Sequence, residues 1–403
     1  MKVLIVEEAL KNLHGHWFQY INDIVNGGRE AGYEIEVAVH RDACPEILKA
    51  LPCRPILNAT VFERERIPAG KLAGLIRVLT HNRSLYRDLS AFFAAGNTYD
   101  LVISTTTRLD HLPAYWWLYW RFKNRGFANL ALIFIELVGE YTPDFSKLRF
   151  STSTLLLKCA LLACRPLLKR GQFFLVTESE GLARRYEAFC GIKFPLVPHV
   201  VSLPSLEPYR KAVDKDSDKL LLGTFGITRY DKGVDIFQDA IKLYQQQGLN
   251  NAGFVIQWIN DYQLPDGSWA RQDPVLLKDR NVQYLPRFST PQEYYRWLAC
   301  TDIMILPYRR DFYYDKLSRV AIDAALAGMP MVYPAGTWFE SFVAQYAAGV
   351  AFQPESPESL AVAMQEIVAR YAELKAQAED RKQSVSEAFS AQVFFQNIMR
   401  LVK

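Results

Sequence analysis

The chain has 403 residues, half of them hydrophobic, and a formal net charge of +4 at neutral pH. This length exceeds that of an ordinary single domain and predicts two domains of roughly 200 residues, each with its own core. The small net charge excludes the strong overall field that is typical of nucleic-acid-binding proteins. No window reaches the ~18 apolar residues that a membrane-spanning helix needs.

Short apolar runs alternate with longer amphipathic segments through the first half of the chain. This alternation is typical of a mostly parallel sheet with helices on both faces. The predicted strands are Lys2–Val6, Ile35–Val39, Leu101–Ser104, Leu130–Ile135, Phe173–Val176 and Phe194–Pro198. The first run is too short for a signal peptide, and the six cysteines have no metal-ligand spacing, so we expect a cytoplasmic protein with reduced thiols.

Residues 202–219 are polar, contain proline and have no periodicity, so we interpret them as a linker after an N-terminal domain of residues 1–201. The C-terminal domain is predicted over 220–387, with strands at Leu220–Phe225, Gly253–Trp258, Val282–Leu285, Ile303–Leu306 and Met331–Tyr333. Helix starts are indicated at Thr290-Pro291 and at Ser356-Pro357, where an N-cap residue precedes proline. Residues 388–403 are predicted as an amphipathic C-terminal helix.

The most informative stretch runs from Thr301 to Phe352. An apolar run ends at Pro307, a polar, aromatic loop follows, and Ser318 occupies the expected N-cap of a helix. That helix is predicted to end at Gly328, before another apolar run. Such a loop lies at the carboxyl end of a strand, where open α/β sheets bind ligands. The helix N-terminus offers N–H groups and a positive dipole end, which suit a diphosphate.

This stretch resembles the nucleotide-sugar half of GT-B glycosyltransferases, closest to the large family 4 group. The family pattern is an acidic residue, seven others, a second acidic residue and then Ala-x-x-x-Gly-x-Pro-Val-Val; the matching residues are Asp315, Asp323, Ala324, Gly328, Pro330 and Val332. Both family glutamates are aspartates here, and Arg319 replaces a usual glycine. In family order, 225–235 resembles the phosphate-binding turn, 282–293 the base-side loop and 348–358 the turn after the last strand. The resemblance implies the α/β class and the GT-B fold, with two Rossmann-like doubly wound domains facing across a cleft and the C-terminal helix crossing back to the N-terminal domain.

The resemblance also implies that the C-terminal domain binds the donor. Lys232 is predicted to reach the pyrophosphate, with Arg229 replacing the arginine that the family has at the position of Ile227. Asp323 is predicted to bind ribose hydroxyls; the alternative is a surface helix pair with the arginine four residues earlier. The predicted donor-binding residues are Arg229, Lys232, Gly233, Arg287, Asp315, Lys316, Ser318, Arg319 and Asp323.

The N-terminal domain is expected to bind the acceptor and to supply a base. His14, Gly15 and His16 follow the first strand, and by resemblance they line the cleft; the alternative is an ordinary turn with exposed histidines. Many family 4 relatives have a catalytic histidine at the end of the fourth or fifth strand of this domain. The corresponding region here contains Glu136 and Glu140, and His111 lies in the loop beyond the preceding strand. Glu136, Glu140 and His111 are therefore the catalytic candidates, and His199 is interpreted as structural.

One charge pattern is separate from these motifs. Between His111 and Thr177 the acids are Glu136, Glu140 and Asp144, whereas cations are plentiful around a tryptophan cluster at 116–120 and a leucine run at 155–162. Tryptophans with cationic neighbours suit the interface of an anionic membrane, so peripheral contact with the inner face of the membrane is one interpretation. The alternative is a pair of core helices with basic edges.

The predicted function is transfer of a sugar from a nucleotide-diphosphate donor to a hydroxyl acceptor, in the synthesis of a cell-surface polysaccharide or a lipid-linked oligosaccharide. No metal or other cofactor is expected, because a helix dipole and cations can neutralise the leaving diphosphate. The expected partners are the nucleotide sugar, a glycan or lipid-linked acceptor and an anionic membrane surface, and no nucleic acid. The alternatives are a nucleotide-sugar epimerase or hydrolase on the same fold, and a catalytically degenerate GT-B binding subunit.

Overall fold

The computed structural model describes residues 1–13, 17–61, 71–151, 154–212, 219–249 and 251–402. The predicted acceptor residues His14, Gly15 and His16 lie outside the described residues, as does segment 213–218 of the predicted linker. The chain divides into two compact domains. We call Met1–Val200 together with Phe389–Lys403 the N-terminal domain, and Val201–Ala388 the C-terminal domain.

The helices and strands are numbered here in chain order. The strands are β1 (Lys2–Val6), β2 (Glu34–His40), β3 (Cys53–Leu57), β4 (Tyr99–Ser104), β5 (Phe127–Phe134), β6 (Glu140–Tyr141), β7 (Leu148–Arg149), β8 (Phe173–Thr177), β9 (Leu220–Thr224), β10 (Ala252–Gln257), β11 (Tyr262–Gln263), β12 (Trp269–Ala270), β13 (Val282–Leu285), β14 (Ile303–Ile305), β15 (Met331–Pro334) and β16 (Gly349–Phe352). The helices are α1 (Trp17–Glu30), α2 (Pro45–Ala50), α3 (Lys71–Ala94), α4 (Leu112–Phe122), α5 (Leu155–Ala163), α6 (Arg165–Leu168), α7 (Glu180–Cys190), α8 (Val234–Gln246), α9 (Pro291–Cys300), α10 (Arg310–Tyr313), α11 (Arg319–Leu326), α12 (Trp338–Tyr346), α13 (Pro357–Ala369), α14 (Tyr371–Asp380), α15 (Lys382–Ala388) and α16 (Ala391–Val402). Short 3-10 helices lie at Glu207–Ala212, Tyr230–Lys232 and Leu276–Lys278.

The N-terminal domain is built on a parallel six-stranded sheet in the order β3-β2-β1-β4-β5-β8. Successive side chains of a strand point to opposite faces, so β1 contributes to two cores. Leu4 and Val6 pack in the core with α3 to α7, whereas Val3 and Ile5 pack in the core with α1, α2 and α16. The chain runs outward from β1 to β3 and then returns to β4 on the other side of β1. The switch point of this sheet is therefore between β1 and β4.

The last helix, α16, packs closely on α1 within the N-terminal domain. A Cβ atom on Gly27 would lie 2.2 Å from the Cβ of Ala391, and one on Gly28 would lie 2.8 Å from the Phe395 ring. The two glycines therefore allow an approach between the helices that larger residues would prevent.

The C-terminal domain repeats this architecture with the parallel order β13-β10-β9-β14-β15-β16. Its chain runs outward from β9 through β10 to β13 and returns to β14, so the switch point lies between β9 and β14. The Rossmann-like doubly wound architecture is thus confirmed for each domain. None of the described helices is long and apolar enough to cross a bilayer.

Three strand predictions need correction. Phe194–Pro198 forms no strand, because it contributes only one bridge, between Thr177 and Leu196. Strand β3 was not predicted, since it contains a proline and an arginine; both are compatible with its edge position, where one side of the strand needs no partner. Residues 349–352, interpreted as part of a turn, form the opposite edge strand β16.

Candidate functional site

The two segments predicted to bind phosphate follow neighbouring strands of the C-terminal domain. Residues 225–234 follow β9 and residues 306–318 follow β14. Carboxyl ends of parallel strands meet at one edge of a sheet, and these two strands flank the switch point. The segments therefore lie side by side where an open α/β sheet forms its ligand crevice.

Gly233 brings the two segments into contact. Its φ of 59° is left-handed, and a Cβ atom at this position would lie 1.9 Å from the carbonyl oxygen of Pro307. The turn is also held by Arg309, whose guanidinium donates to both carboxylate oxygens of Asp235 at 3.1 and 2.6 Å and lies 3.8 Å from the centre of the Tyr230 ring. Glycine at 233 is thus required both by the backbone conformation and by the close approach.

Lys232 places its ammonium nitrogen against two aromatic rings. The distance is 3.7 Å to the centre of Tyr308 and 4.9 Å to that of Tyr313. Loss of solvent, together with the charges of Arg229 and Lys316, lowers the pKa of Lys232 to about 7, and the charge of Asp231 opposes this shift. Among the described residues Lys232 forms no ion pair, so a diphosphate beside this ammonium would supply an anionic partner for the protonated form.

The neighbouring cations are held less tightly. Arg229 donates to Asp231 at 2.9 Å, yet its side chain is half exposed. Lys316 is partly buried in the loop before α11. Both are close enough to Lys232 to lower its pKa, so the structure groups three of the predicted donor-binding cations.

Ser318 is the N-cap of α11, as predicted. Its backbone is extended and its hydroxyl accepts a hydrogen bond from the Ala321 N–H at 3.4 Å. The first turn of an α-helix carries N–H groups without intrahelical partners and a partial positive charge. Ser318 is itself buried, and the loop that contains Lys316 directly precedes this helix end.

Asp323 is buried, and its Oδ2 atom accepts a hydrogen bond from the Tyr294 hydroxyl at 2.9 Å. Arg319 Nε lies 3.7 Å from the same oxygen, so the helix pair considered as the alternative role of Asp323 is present, although it is buried rather than on the surface. Tyr294 also packs against Phe225 and Phe288, whose ring centres lie 6.0 and 6.2 Å away. Asp323 therefore links α11 to a group of aromatic residues in and beside the loop at 282–293, which is predicted to lie on the side of the nucleotide base.

The other predicted donor residues are dispersed. Asp315 is buried in the loop before Ser318, whereas Asp311, another acid between β14 and α11, is exposed on α10. Arg287 is exposed after β13, which β10 separates from β9. Gly328 has φ of 61°, and a Cβ there would lie 2.6 Å from the Glu379 carboxyl carbon, so this motif glycine suits a left-handed backbone and leaves room for the Glu379 side chain of α14.

The switch point of the N-terminal sheet contains buried acids that the sequence analysis did not select. The Glu7 carboxylate accepts hydrogen bonds from the hydroxyls of Thr105 and Thr106 at 2.7 and 2.8 Å and from the Ala9 N–H at 2.9 Å. Burial raises the pKa of Glu7 despite these bonds. A signal was available, because two acids directly follow β1 and three threonines directly follow β4.

The catalytic candidate His111 belongs to a second buried network. Its Nδ1 accepts from the Arg108 N–H at 3.0 Å, so its Nε2 carries the proton and faces Glu8 Oε1 at 3.2 Å. His81 Nε2 lies 2.9 Å from the other Glu8 oxygen. Glu8, His81 and His111 have the donor types of a metal site. A metal on His111 Nε2 would require that nitrogen to be unprotonated, which conflicts with the bond to its Nδ1. The cluster is a hydrogen-bonded network, in which Glu8 raises the pKa of His111 against the effect of burial.

The two glutamate candidates are more accessible. Glu136 follows β5, its side chain is 48% exposed, and its Oε2 lies 3.1 Å from Arg108 Nε. Glu140 is exposed on the small β6–β7 hairpin, opposite Arg149. His199 is buried with its Nδ1 2.8 Å from Glu178 Oε2.

Comparison with known proteins decides the family of the C-terminal domain. Residues 219–370 match the family model described as glycosyl transferases group 1. The C-terminal domain is a group 1 glycosyltransferase domain. This match agrees with the resemblance stated from the sequence, and its residues include every predicted donor-binding position.

Solved structures similar to this glycosyltransferase cover the whole chain. Sucrose-phosphate synthase from Thermosynechococcus elongatus has a TM-score of 0.68 at 14% identity, covering 100% of this chain and 98% of that one. Anabaena HepE in complex with UDP and glucose has a TM-score of 0.63 at 17% identity, covering 100% of this chain and 99% of that one. A third similar structure is the catalytic domain of starch synthase IV from Arabidopsis thaliana bound to ADP and acarbose. Its TM-score is 0.64 at 14% identity, and the match covers 100% of this chain and 99% of that one. The fold is GT-B. A search of curated protein sequences gave no match.

Proposed function

We propose that this glycosyltransferase transfers a sugar from a nucleoside-diphosphate sugar, with UDP-hexose as the first candidate, to a hydroxyl acceptor. The observation that carries the proposal is the grouping of Lys232, Arg229 and Lys316 near the start of α11, at the switch point of a group 1 glycosyltransferase domain. Structures similar to this chain include HepE complexes with UDP and with UDP-glucose.

The donor diphosphate would occupy the corner between the turn at Gly233 and the N-terminus of α11. Lys232 and Arg229 approach that corner from the β9 side, and Lys316 from the β14 side. As the bond to the sugar breaks, negative charge grows on the leaving diphosphate, and fixed cations with a helix dipole stabilise it. We therefore propose that the transfer needs no metal ion or other cofactor.

The acceptor base is proposed to come from the N-terminal domain, with Glu136 as the preferred candidate. Of the three candidates, His111 is buried, with its Nδ1 accepting from the Arg108 N–H and its Nε2 3.2 Å from Glu8 Oε1, and Glu140 lies on the β6–β7 hairpin outside the six-stranded sheet. Glu136 combines an accessible carboxylate with a position at the carboxyl end of β5. The Arg108 guanidinium lies beside this carboxylate, and a carboxylate is a group that can accept a proton as a general base.

The proposed setting is the cytoplasmic synthesis of a cell-surface polysaccharide or a lipid-linked oligosaccharide. The acceptor would be a glycan or a lipid-linked glycan hydroxyl, with peripheral contact at the inner face of the membrane. The enzyme would meet its nucleotide sugar in the cytoplasm, where we expect the thiols of its six free cysteines to stay reduced.

The direct test is calorimetry with a panel of nucleotide sugars, followed by an assay for nucleotide release with and without glycan acceptors. We expect one donor to bind with micromolar affinity, and Lys232→Met to weaken it at least tenfold. Lys242→Met is the matched control, because Lys242 lies on α8 and pairs with Asp239 and Asp273 rather than with the switch point. A panel with no binding donor would overturn the proposal.

A catalytically inactive donor-binding subunit is the second candidate, and the burial of His111, whose Nδ1 accepts a hydrogen bond from the Arg108 N–H, favours it. An inactive subunit would bind a nucleotide sugar yet release no nucleotide with any acceptor. An epimerase or hydrolase would convert the donor without an acceptor, which the same assay detects.

A further inference from the structure

Residues of α4 and α5 form an exposed apolar surface in the N-terminal domain. On α4, Trp117 and Trp120 are 59% and 43% exposed; on α5, Leu155 and Leu156 are 57% and 52% exposed. We call the following exposed side chains the apolar patch: Trp117, Trp120, Leu155, Leu156, Cys159 and Ala163.

The members of the patch on α5 form one stripe, because positions three or four apart share a face of a helix. A solvent-facing stripe of a helix normally carries charged or polar residues, whereas this one carries leucine, cysteine and alanine. The other face of α5 is already used, since Leu161 is fully buried in the core. The stripe is therefore an additional apolar surface rather than a core face.

Contacts between the helices join the two parts of the patch. The indole N–H of Trp116 donates to the carbonyl oxygen of Ala163 at 3.2 Å, and the Trp116 ring centre lies 4.8 Å from that of Trp117 and 6.1 Å from that of Trp120. The last residue of the α5 stripe thus lies beside the tryptophans of α4.

The surroundings of the patch are cationic. Arg170 lies 4.3 Å from the centre of the Trp120 ring, and the partly buried Lys158 is the one charged residue of α5. Residues 112–135 and 145–177 contain no aspartate or glutamate, so no acid from either segment offsets these charges. Arg121, Arg125 and Lys169 are exposed cations in the same segments.

We propose that the apolar patch docks on an anionic lipid bilayer, with its tryptophans at the headgroup level and its leucines in the acyl boundary. Tryptophan prefers this interface because its ring is apolar and its N–H is polar. Cations at the edge of the patch meet anionic headgroups, while their apolar stems follow the inserted surface. The proposal deepens the membrane contact of the proposed function, on which it rests, by naming the surface that makes it, and a lipid-linked acceptor would be presented at the same surface.

The test is flotation of the full chain with vesicles that contain neither donor nor acceptor, so its result is independent of transferase activity. We expect the protein to float at low salt with phosphatidylcholine vesicles containing phosphatidylglycerol, and to remain at the bottom with phosphatidylcholine alone. Raising the salt to 0.5 M, roughly, should weaken binding severalfold, because the screening length then falls to a few Å.

Two variants separate the apolar and the cationic contributions. Leu155→Ser with Leu156→Ser should lower vesicle binding at least tenfold, since each leucine loses the free energy of inserting its side chain. Lys158→Glu, Lys169→Glu and Arg170→Glu together should lower it more than tenfold. Arg165 is left unchanged because its Nη2 donates to the Cys190 carbonyl oxygen at 3.0 Å.

The matched control is Val275→Ser with Leu277→Ser, which changes two apolar residues of the C-terminal domain that are 68% and 53% exposed. Control binding should equal that of the unchanged chain, and circular dichroism should show the same melting for all three variants. Absence of flotation at low salt would overturn the proposal. Vesicle binding that the patch variants retain would also overturn it. So would a patch variant that changes only the molecular mass of the protein in solution, because the patch would then be a contact between copies of the chain.

Discussion

The ammonium of Lys232 is expected to destabilise the protein when no donor is bound. Its pKa is lowered from 10.5 to about 7, chiefly by loss of solvent; its ammonium lies against two aromatic rings, and the charges of Arg229 and Lys316 lower its pKa while that of Asp231 raises it. A difference of this size corresponds to at most about 5 kcal/mol of unfolding free energy. The ring of Tyr308 stabilises the charged form by up to about 2 kcal/mol when both are desolvated. Lys232→Met, which keeps the apolar stem and removes the charge, should therefore stabilise the C-terminal domain by about 3 to 5 kcal/mol at pH 6.

The pH dependence gives the sign of this effect. Between pH 7 and 10.5 an unfolded lysine binds a proton that folded Lys232 does not, so the unfolding free energy of the unchanged protein rises with pH through that window. The advantage of Lys232→Met should consequently shrink from its value at pH 6 to about 2 kcal/mol or less at pH 9. Hydrogen exchange of the slowest α8 amides measures this free energy, with variant and unchanged protein compared at each pH.

A control of opposite sign, Lys242, lies on α8. Asp239 and Asp273 raise the pKa of Lys242, so its charge contributes stability that is present below pH 10.5. Lys242→Met should therefore destabilise the domain slightly at pH 6, where Lys232→Met stabilises it. If Lys232→Met were destabilising at pH 6, or if its effect did not change with pH, the interpretation of Lys232 as a desolvated cation awaiting an anion would be wrong.

Three further substitutions test other parts of the structure. Gly233→Ala should cost about 2 to 5 kcal/mol in urea unfolding, because alanine is strained in the left-handed backbone of this position and its Cβ atom would overlap the Pro307 carbonyl oxygen. A cost below about 1 kcal/mol would contradict the close approach. Ser318→Ala should cost about 1 kcal/mol through loss of the N-cap and should weaken UDP binding in calorimetry, whereas unchanged UDP affinity would place the diphosphate elsewhere. Glu8→Gln should destabilise the N-terminal domain by about 3 kcal/mol and lower the pKa of His111 in an NMR titration, since the carboxylate that raises it is lost; an unchanged pKa would show that Glu8 does not hold the imidazolium.

The apolar runs predicted the strands well because both faces of a parallel sheet are buried. Lys2–Val6 and Val282–Leu285 have the predicted bounds, and Thr290, Ser318 and Ser356 cap helices as predicted. The edge strand β3 escaped prediction because its arginine and proline interrupt the apolar pattern, which an edge position tolerates. Strand β16 is a run of only four apolar residues, and the sequence analysis included it in a turn.

Side-chain partners were less predictable than the fold. The sequence placed Lys232 beside a turn glycine but contained no sign that Tyr308 and Tyr313 would enclose its ammonium, because those residues are more than 70 positions away. Likewise, the four-residue spacing of Arg319 and Asp323 predicted their pairing on one face of a helix. The hydrogen bond between Tyr294 and Asp323 could not be predicted in this way, because it depends on how α9 packs beside α11. Tertiary packing decides these contacts, and local patterns do not contain it.

The most direct test of the central claim is a crystal structure of the protein with UDP or the UDP-sugar that binds most tightly. The account predicts density for both phosphates at the amino end of α11, within hydrogen-bonding reach of Lys232 and the cap at Ser318. A nucleotide bound elsewhere, or a corner that stays without phosphate while calorimetry shows binding, would contradict it.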